Sequence, residues 1–151
     1  MSKACTAALL LTLLALPACD RGNEAPRVEV DDAWVRLPAV KGRPGAAYFR
    51  LEANSRPMHL VSVSSPQVRR IELHESGGEG SKAKMTKLEN PFFERNTMEF
   101  RPDGRHAMLF DIAKGVKPGD KITLTFTFDP APPVTIEAVA KAAGEAHEDG
   151  H

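Results

Sequence analysis

The chain has 151 residues, 42% of them apolar and 26% charged, which are ordinary proportions for a soluble globular protein. Lys+Arg and Asp+Glu number 20 each, so there is no basic excess with which to neutralise nucleic-acid phosphates. No run of 18 apolar residues lies beyond residue 30, which leaves no internal helical membrane span.

Residues 1–19 read as an export signal of the lipoprotein type. Lys3 supplies a positive start and Ala7 to Leu16 a short apolar run, too short to cross a bilayer. Leu16-Pro17-Ala18-Cys19 resembles the lipobox of bacterial lipoproteins, in which the cysteine becomes the lipidated first residue. The expected location is the periplasm, with the membrane reached by a lipid anchor only. Cys5 and Cys19 are the only cysteines, so the chain beyond them has no thiol for a disulfide, a thiolate metal site or a redox pair. Residues 20–27 are polar, with Gly and Pro, and read as a linker. Residues 28–140 form a single domain, and residues 141–151 an Ala-rich, polar tail.

Within the domain the periodicity is that of strands. Segments of alternating apolar residues recur every ten to fifteen positions between Gly, Pro, Asn and Asp. The pattern predicts strands over 27–37, 46–53, 58–64, 69–75, 82–88, 97–101, 106–112, 121–128 and 134–140. The clearest has Ile122, Leu124, Phe126 and Phe128 alternating with Thr123, Thr125 and Thr127, one face for the core and one for solvent. Lys117-Pro118-Gly119-Asp120 carries Pro and Gly at the central positions of a type II turn. Met58 and Met98 read as core residues, Trp34 as a core anchor, and Arg69, Arg70 and Arg95 as solvated charges. Asp31 and Asp32, adjacent on a strand, are expected on opposite faces, a poor acid/base pair. The fold class is all-β, a sandwich or Greek-key barrel.

Four side chains stand apart from this pattern: His74, Met85, His106 and Met108. His106 and Met108 are two residues apart on one predicted strand and therefore share a face. A hairpin across the Gly77-Gly78 region returns Met85 toward His74. Two imidazoles and two thioethers suit Cu(I), because thioether sulfur is soft and neutral. Zinc would favour Cys or carboxylate beside His, and a blue-copper site needs a thiolate. The residues alone leave a second reading open, with both Met as packing and both His as surface or hydrogen-bonding groups. There is no nucleophile elbow, phosphate-binding Gly loop or zinc-protease motif, so the chain reads as a non-enzyme.

The spacing resembles that of the PCu(A)C family of periplasmic copper chaperones. Ten residues separate His74 from Met85, and twenty separate Met85 from His106-Ala107-Met108, one fewer than the usual second interval. Ala33-Trp34-Val35-Arg36, Gly45-Ala46-Ala47-Tyr48, Ser64-Ser65-Pro66, Glu72-Leu73-His74-Glu75 and Val116-Lys117-Pro118-Gly119-Asp120 resemble that family's landmarks, and the likeness runs from Val28 to Ala140. It implies a cupredoxin-like barrel holding one Cu(I) through His74, Met85, His106 and Met108. It also implies delivery toward the CuA subunit of cytochrome c oxidase, directly or through a Sco-type thioredoxin-fold protein. Some members bind Cu(II) in a C-terminal extension. Here His147 and His151 offer at most a weak Cu(II) site, and a solvated tail is the simpler reading. Copper storage or resistance, a metal-free structural β-sandwich lipoprotein and a copper redox enzyme are the alternative roles.

Overall fold

The computed structural model describes residues 24–54, 57–77, 84–93 and 96–145. The export signal with Cys19, most of the linker, Lys82, Arg95 and the tail histidines His147 and His151 lie outside the described residues. Nine strands follow in chain order: β1 (Val28–Arg36), β2 (Gly45–Ala53), β3 (His59–Ser64), β4 (Val68–Gly77), β5 (Lys84–Lys87), β6 (Thr97–Phe100), β7 (Arg105–Ile112), β8 (Lys121–Asp129) and β9 (Val134–Lys141). Each coincides with a predicted segment to within a few residues. The main difference is β4, which continues past the predicted end at Glu75 to Gly77, so His74 is an interior strand residue.

The strands form one sheet in the order β3-β8-β9-β1-β2-β7-β4-β5, and β6 pairs with β2. Strand β2 serves two partners, β7 through Gly45–Ala47 and β6 through Phe49–Glu52. All ladders are antiparallel except β1 with β9. The sheet folds over on itself. Phe49 of β2 meets Phe126 of β8 edge-on with ring centroids 4.8 Å apart, although two strands separate β2 from β8 in the sheet order. Phe49 also stacks on Phe100 of β6 at 4.4 Å. Such pairs add about 0.5–1.5 kcal/mol each beyond the area they bury.

The inward positions of the strands fill one core. Ile122, Leu124 and Phe126 are fully buried and Phe128 nearly so, as the β8 alternation predicts. Leu51, Leu60, Leu73, Leu109, Met58 and Met98 join them. Gly119 closes the turn before β8 with a φ of 92°, and the Asp120 N–H donates to the Lys117 carbonyl at 3.1 Å, the arrangement read from the sequence. Trp34 is buried, but not in the main core: with Ala46 and Tyr48 it forms a small cluster of its own on the opposite face of the sheet. Asp31 and Asp32 also depart from expectation. The β1–β2 register shifts between Asp31 and Trp34, and Asp32 takes a φ of 52°. Both carboxylates thereby reach Arg50, at 3.5 Å each. A bulge re-aims a side chain that simple alternation would send the other way.

Candidate metal centre

The centre is built on the β4–β7 ladder. Its register is unbroken from Val68 opposite Ile112 to Glu75 opposite Arg105. His74 therefore faces His106, and Glu72 faces Met108. Alternation puts Leu73, Ala107 and Leu109 on the core side and Glu72, His74, His106 and Met108 on the other. On the far side of β4, strand β5 sets Met85 opposite Ser76 and Lys87 opposite His74. Ser76 shares the face of His74, so Met85 is a diagonal neighbour of that histidine, within reach of a long side chain. On the near side of β7, Ala46 of β2 lies opposite Met108.

A pocket of about 370 Å³ opens over this face, and Met85, His106 and Met108 line it together with Leu37, Pro38 and Pro44 of the β1–β2 connection. The imidazoles of His74 and His106 lie nearly parallel, with centroids 6.2 Å apart. Burial falls outward: His106 is 8% exposed and Met85 is 51% exposed. The second interval of the spacing, one residue short, does not disturb the pair, because the β4–β7 register stays continuous through His106 and Met108.

Each histidine has one ring nitrogen engaged and one bare. Nδ1 of His106 lies 2.9 Å from the Gly104 carbonyl and donates to it, and Nε2 has no partner among the described residues. Nε2 of His74 lies 3.2 Å from Oε2 of Glu72 and donates to that carboxylate. Nδ1 of His74 is buried with no hydrogen-bond partner, the one such side-chain atom among the described residues. A buried polar atom without a partner costs free energy, and a metal ion is one partner that could satisfy it. Metal-binding histidines characteristically donate their other ring N–H to a carboxylate or a carbonyl, as both do here. The donor set is thus two bare imidazole nitrogens and two thioethers on one face, a set suited to a soft monovalent ion.

Several neighbours were not singled out in the sequence as part of a site. Glu72 holds His74 and is itself ion-paired with Arg70. Its carboxyl is held below the usual range, first by the His74 hydrogen bond and then by Arg70 and Lys87, against an opposing effect of burial. Arg70, read as a solvated charge, is exposed as expected and also lies over the Phe110 ring at 4.0 Å. The available signal was alternation, since Arg70, Glu72 and His74 must share a face. A second, larger cavity of about 660 Å³ lies alongside, floored by Trp34 and Tyr48, and contains none of the four residues. Glu29, Asp31 and Glu52 also cluster, but two of these carboxylates bind Arg50.

Comparisons with known proteins agree with this architecture. Residues 28–140 match the model of the LpqE-like family, described as "Putative lipoprotein LpqE-like". Protein RP573 of Rickettsia prowazekii (strain Madrid E) is 33% identical over 87 residues, 56% of this chain and 48% of that protein, so the match spans about half of that relative's length. Among solved structures, the copper-bound PCuAC domain of PmoF2 superposes with a TM-score of 0.58 at 25% identity, over 77% of this chain and 93% of that domain. DR1885 of Deinococcus radiodurans superposes in its apo form with a TM-score of 0.57 at 26% identity, over 96% of this chain and 99% of its own. Its Cu(I) form gives 0.52 at 25%, over 77% and 80%. Fold and family model agree over the same domain, and the chain belongs to the LpqE-like family, a PCuAC-type family of cupredoxin-like fold.

Proposed function

We propose that this protein is a copper chaperone that holds one Cu(I) through His74, Met85, His106 and Met108 and releases it to an acceptor protein. The observation that carries the reading is the buried Nδ1 of His74, without a partner among the described residues, on a histidine that lies directly across the β4–β7 ladder from His106, with two thioethers on the same face. The copper-bound domain of PmoF2 and the Cu(I) form of DR1885 support copper as the cargo. The gradient of exposure supports transfer. The buried imidazole of His106 anchors the ion, and the exposed thioether of Met85 is the ligand an incoming acceptor displaces first. No bond of a substrate is made or broken. Export through residues 1–19, lipidation of Cys19 and action in the periplasm complete the reading, supported by the lipoprotein description of the family. The acceptor is the CuA subunit of cytochrome c oxidase, or a Sco-type protein on the way to it.

Changing both Met85 and Met108 to Leu is expected to nearly abolish Cu(I) binding, measured by competition with a chromophoric chelator, while the melting temperature of the apo-protein barely moves. Retained affinity would refute the ligand assignment. Cu(I) at a thousand times its dissociation constant stabilises the folded chain by about 4 kcal/mol, and Zn(II) is expected to give much less. Transfer of the ion to apo CuA or Sco acceptors, followed on both proteins, separates delivery from storage.

A further inference from the structure

The two histidines offer opposite nitrogens: Nδ1 of His74 and Nε2 of His106 are the bare ones. A neutral imidazole has one N–H and one lone pair, so whatever accepts the N–H decides which nitrogen can bind a metal. For His106 the acceptor is a backbone carbonyl, fixed by the turn before β7. For His74 it is a side chain, Glu72, one alternation away on the same strand and directly opposite Met108. A free carboxylate would rotate through several rotamers, but this one is held from its other end. Arg70 pairs with Oε1 of Glu72, and its guanidinium is braced at 4.0 Å over the ring of Phe110, its partner across the β4–β7 ladder. Phe110, Arg70, Glu72 and His74 thus form a continuous series of contacts on the outer face, ending at the orphaned Nδ1.

Accepting the ligand reading above, we infer that Glu72 is the positioning residue of the site: its carboxylate takes the Nε2–H of His74, fixes that ring with Nδ1 toward the metal, and is kept in place by Arg70 braced on Phe110. Glu72 acts through His74 and is not itself a copper ligand. Its contribution is pre-organisation, because the ring need not search for its angle or its tautomer when the ion arrives.

The experiment compares wild type with Glu72→Ala and Glu72→Gln, with thermal melting of each apo-protein as the folding control. Two readouts are taken. The first is the ¹⁵N NMR spectrum of the apo-protein near pH 8. Wild type is expected to show a hydrogen-bonded, slowly exchanging Nε2–H on His74 and an Nδ1–H on His106. The His74 proton is expected to disappear in Glu72→Ala and persist in Glu72→Gln, whose amide oxygen still accepts. The second is Cu(I) affinity by chelator competition. Glu72→Ala is expected to lose about 10–100-fold, the usual range for the partner of a metal-bound histidine, and Glu72→Gln to recover most of it. In a His74→Ala background, adding Glu72→Ala is expected to cost nothing further, since the two act as one unit.

Unchanged affinity in Glu72→Ala overturns the inference. So does an equal loss in the Gln and Ala variants, which would mark a direct carboxylate ligand or a pure charge effect. A wild-type His74 protonated on Nδ1 overturns it as well. A wild type that holds no Cu(I) would instead refute the ligand reading, and the apo-protein spectra would then judge Glu72 separately.

Discussion

The two faces of the β4–β7 ladder make opposite demands on the same backbone. On the inner face Leu73, Ala107 and Leu109 are buried to 6% exposure or less and belong to the main hydrophobic core. On the outer face Glu72, His74, His106 and Met108 carry hydrogen-bonding and soft donor atoms whose partners are a carbonyl, a neighbouring side chain or none. One register serves both, since each step along either strand moves from one face to the other. The lesson is a division of labour. The inner face holds the strands rigid, so the outer face can keep a buried, unpaired nitrogen without collapsing around it.

That division predicts which substitutions change stability and which change binding. The largest stability effect belongs to the inner face. Leu109→Ala leaves a cavity in a fully buried position and is expected to cost about 2–5 kcal/mol by urea unfolding. The fraction that remains folded should keep its Cu(I) affinity. A parallel collapse of affinity would mean that the faces are not independent.

Gly45 is the next test, because it sits where β2 begins beside the metal face. A Cβ there would lie 2.8 Å from the Arg36 carbonyl oxygen and 2.8 Å from Cδ1 of Ile112. The first contact is backbone and cannot swing away, so Gly45→Ala should cost about 1–3 kcal/mol. It should also weaken Cu(I) binding somewhat, through displacement of the β2–β7 pairing. Stability equal to wild type would show that the strand edge is more pliable than the geometry implies.

Met108→Leu is expected to reverse the Leu109 result. The volume is nearly conserved, so the cost in stability should stay below about 1.5 kcal/mol. One soft donor is removed, so Cu(I) binding should weaken sharply in a chelator competition.

The smallest effect is expected from an outward pair that carries no chemistry. Lys121 donates to Glu137 at 2.8 Å, and that hydrogen bond and charge hold its ammonium above the ordinary lysine range. A raised folded-state value means a contribution fully present below the ordinary lysine pKa and lost as pH rises through the raised one. Lys121→Met should therefore remove a barely measurable increment at neutral pH and flatten the decline of melting temperature as pH rises past the ordinary lysine range. Both residues are exposed, so solvent screens the pair. A large change at neutral pH would contradict the view that stability resides on the inner face.

Several elements are legible in the residues alone. The alternation in β8 announces its buried face, the 117–120 turn announces its geometry, and two-residue spacing by itself puts His106 and Met108 together. The surroundings of Trp34 and Asp31, and the ring beside Arg70, are not legible in that way. Trp34 is buried, but in a separate outer cluster, because what covers a large apolar side chain depends on which strands pack nearby. Asp31 and Asp32 converge on Arg50 because a bulge overrides alternation, and no residue at that point in the chain announces the bulge. Arg70 reads as one more exposed charge, yet its partner Phe110 lies forty residues further along.

Strand periodicity and side-chain identity are local properties, so the order of residues is enough to say which side chains share a face and which donor chemistry is present. That β7 lies between β2 and β4, and hence that His106 meets His74, comes from pairing between strands distant in the chain. The same long-range pairing sets which nitrogen of each imidazole is left bare. That choice depends on what the other nitrogen finds within hydrogen-bonding distance, a turn carbonyl in one case and a braced carboxylate in the other, and such neighbours exist only once distant strands have been brought side by side.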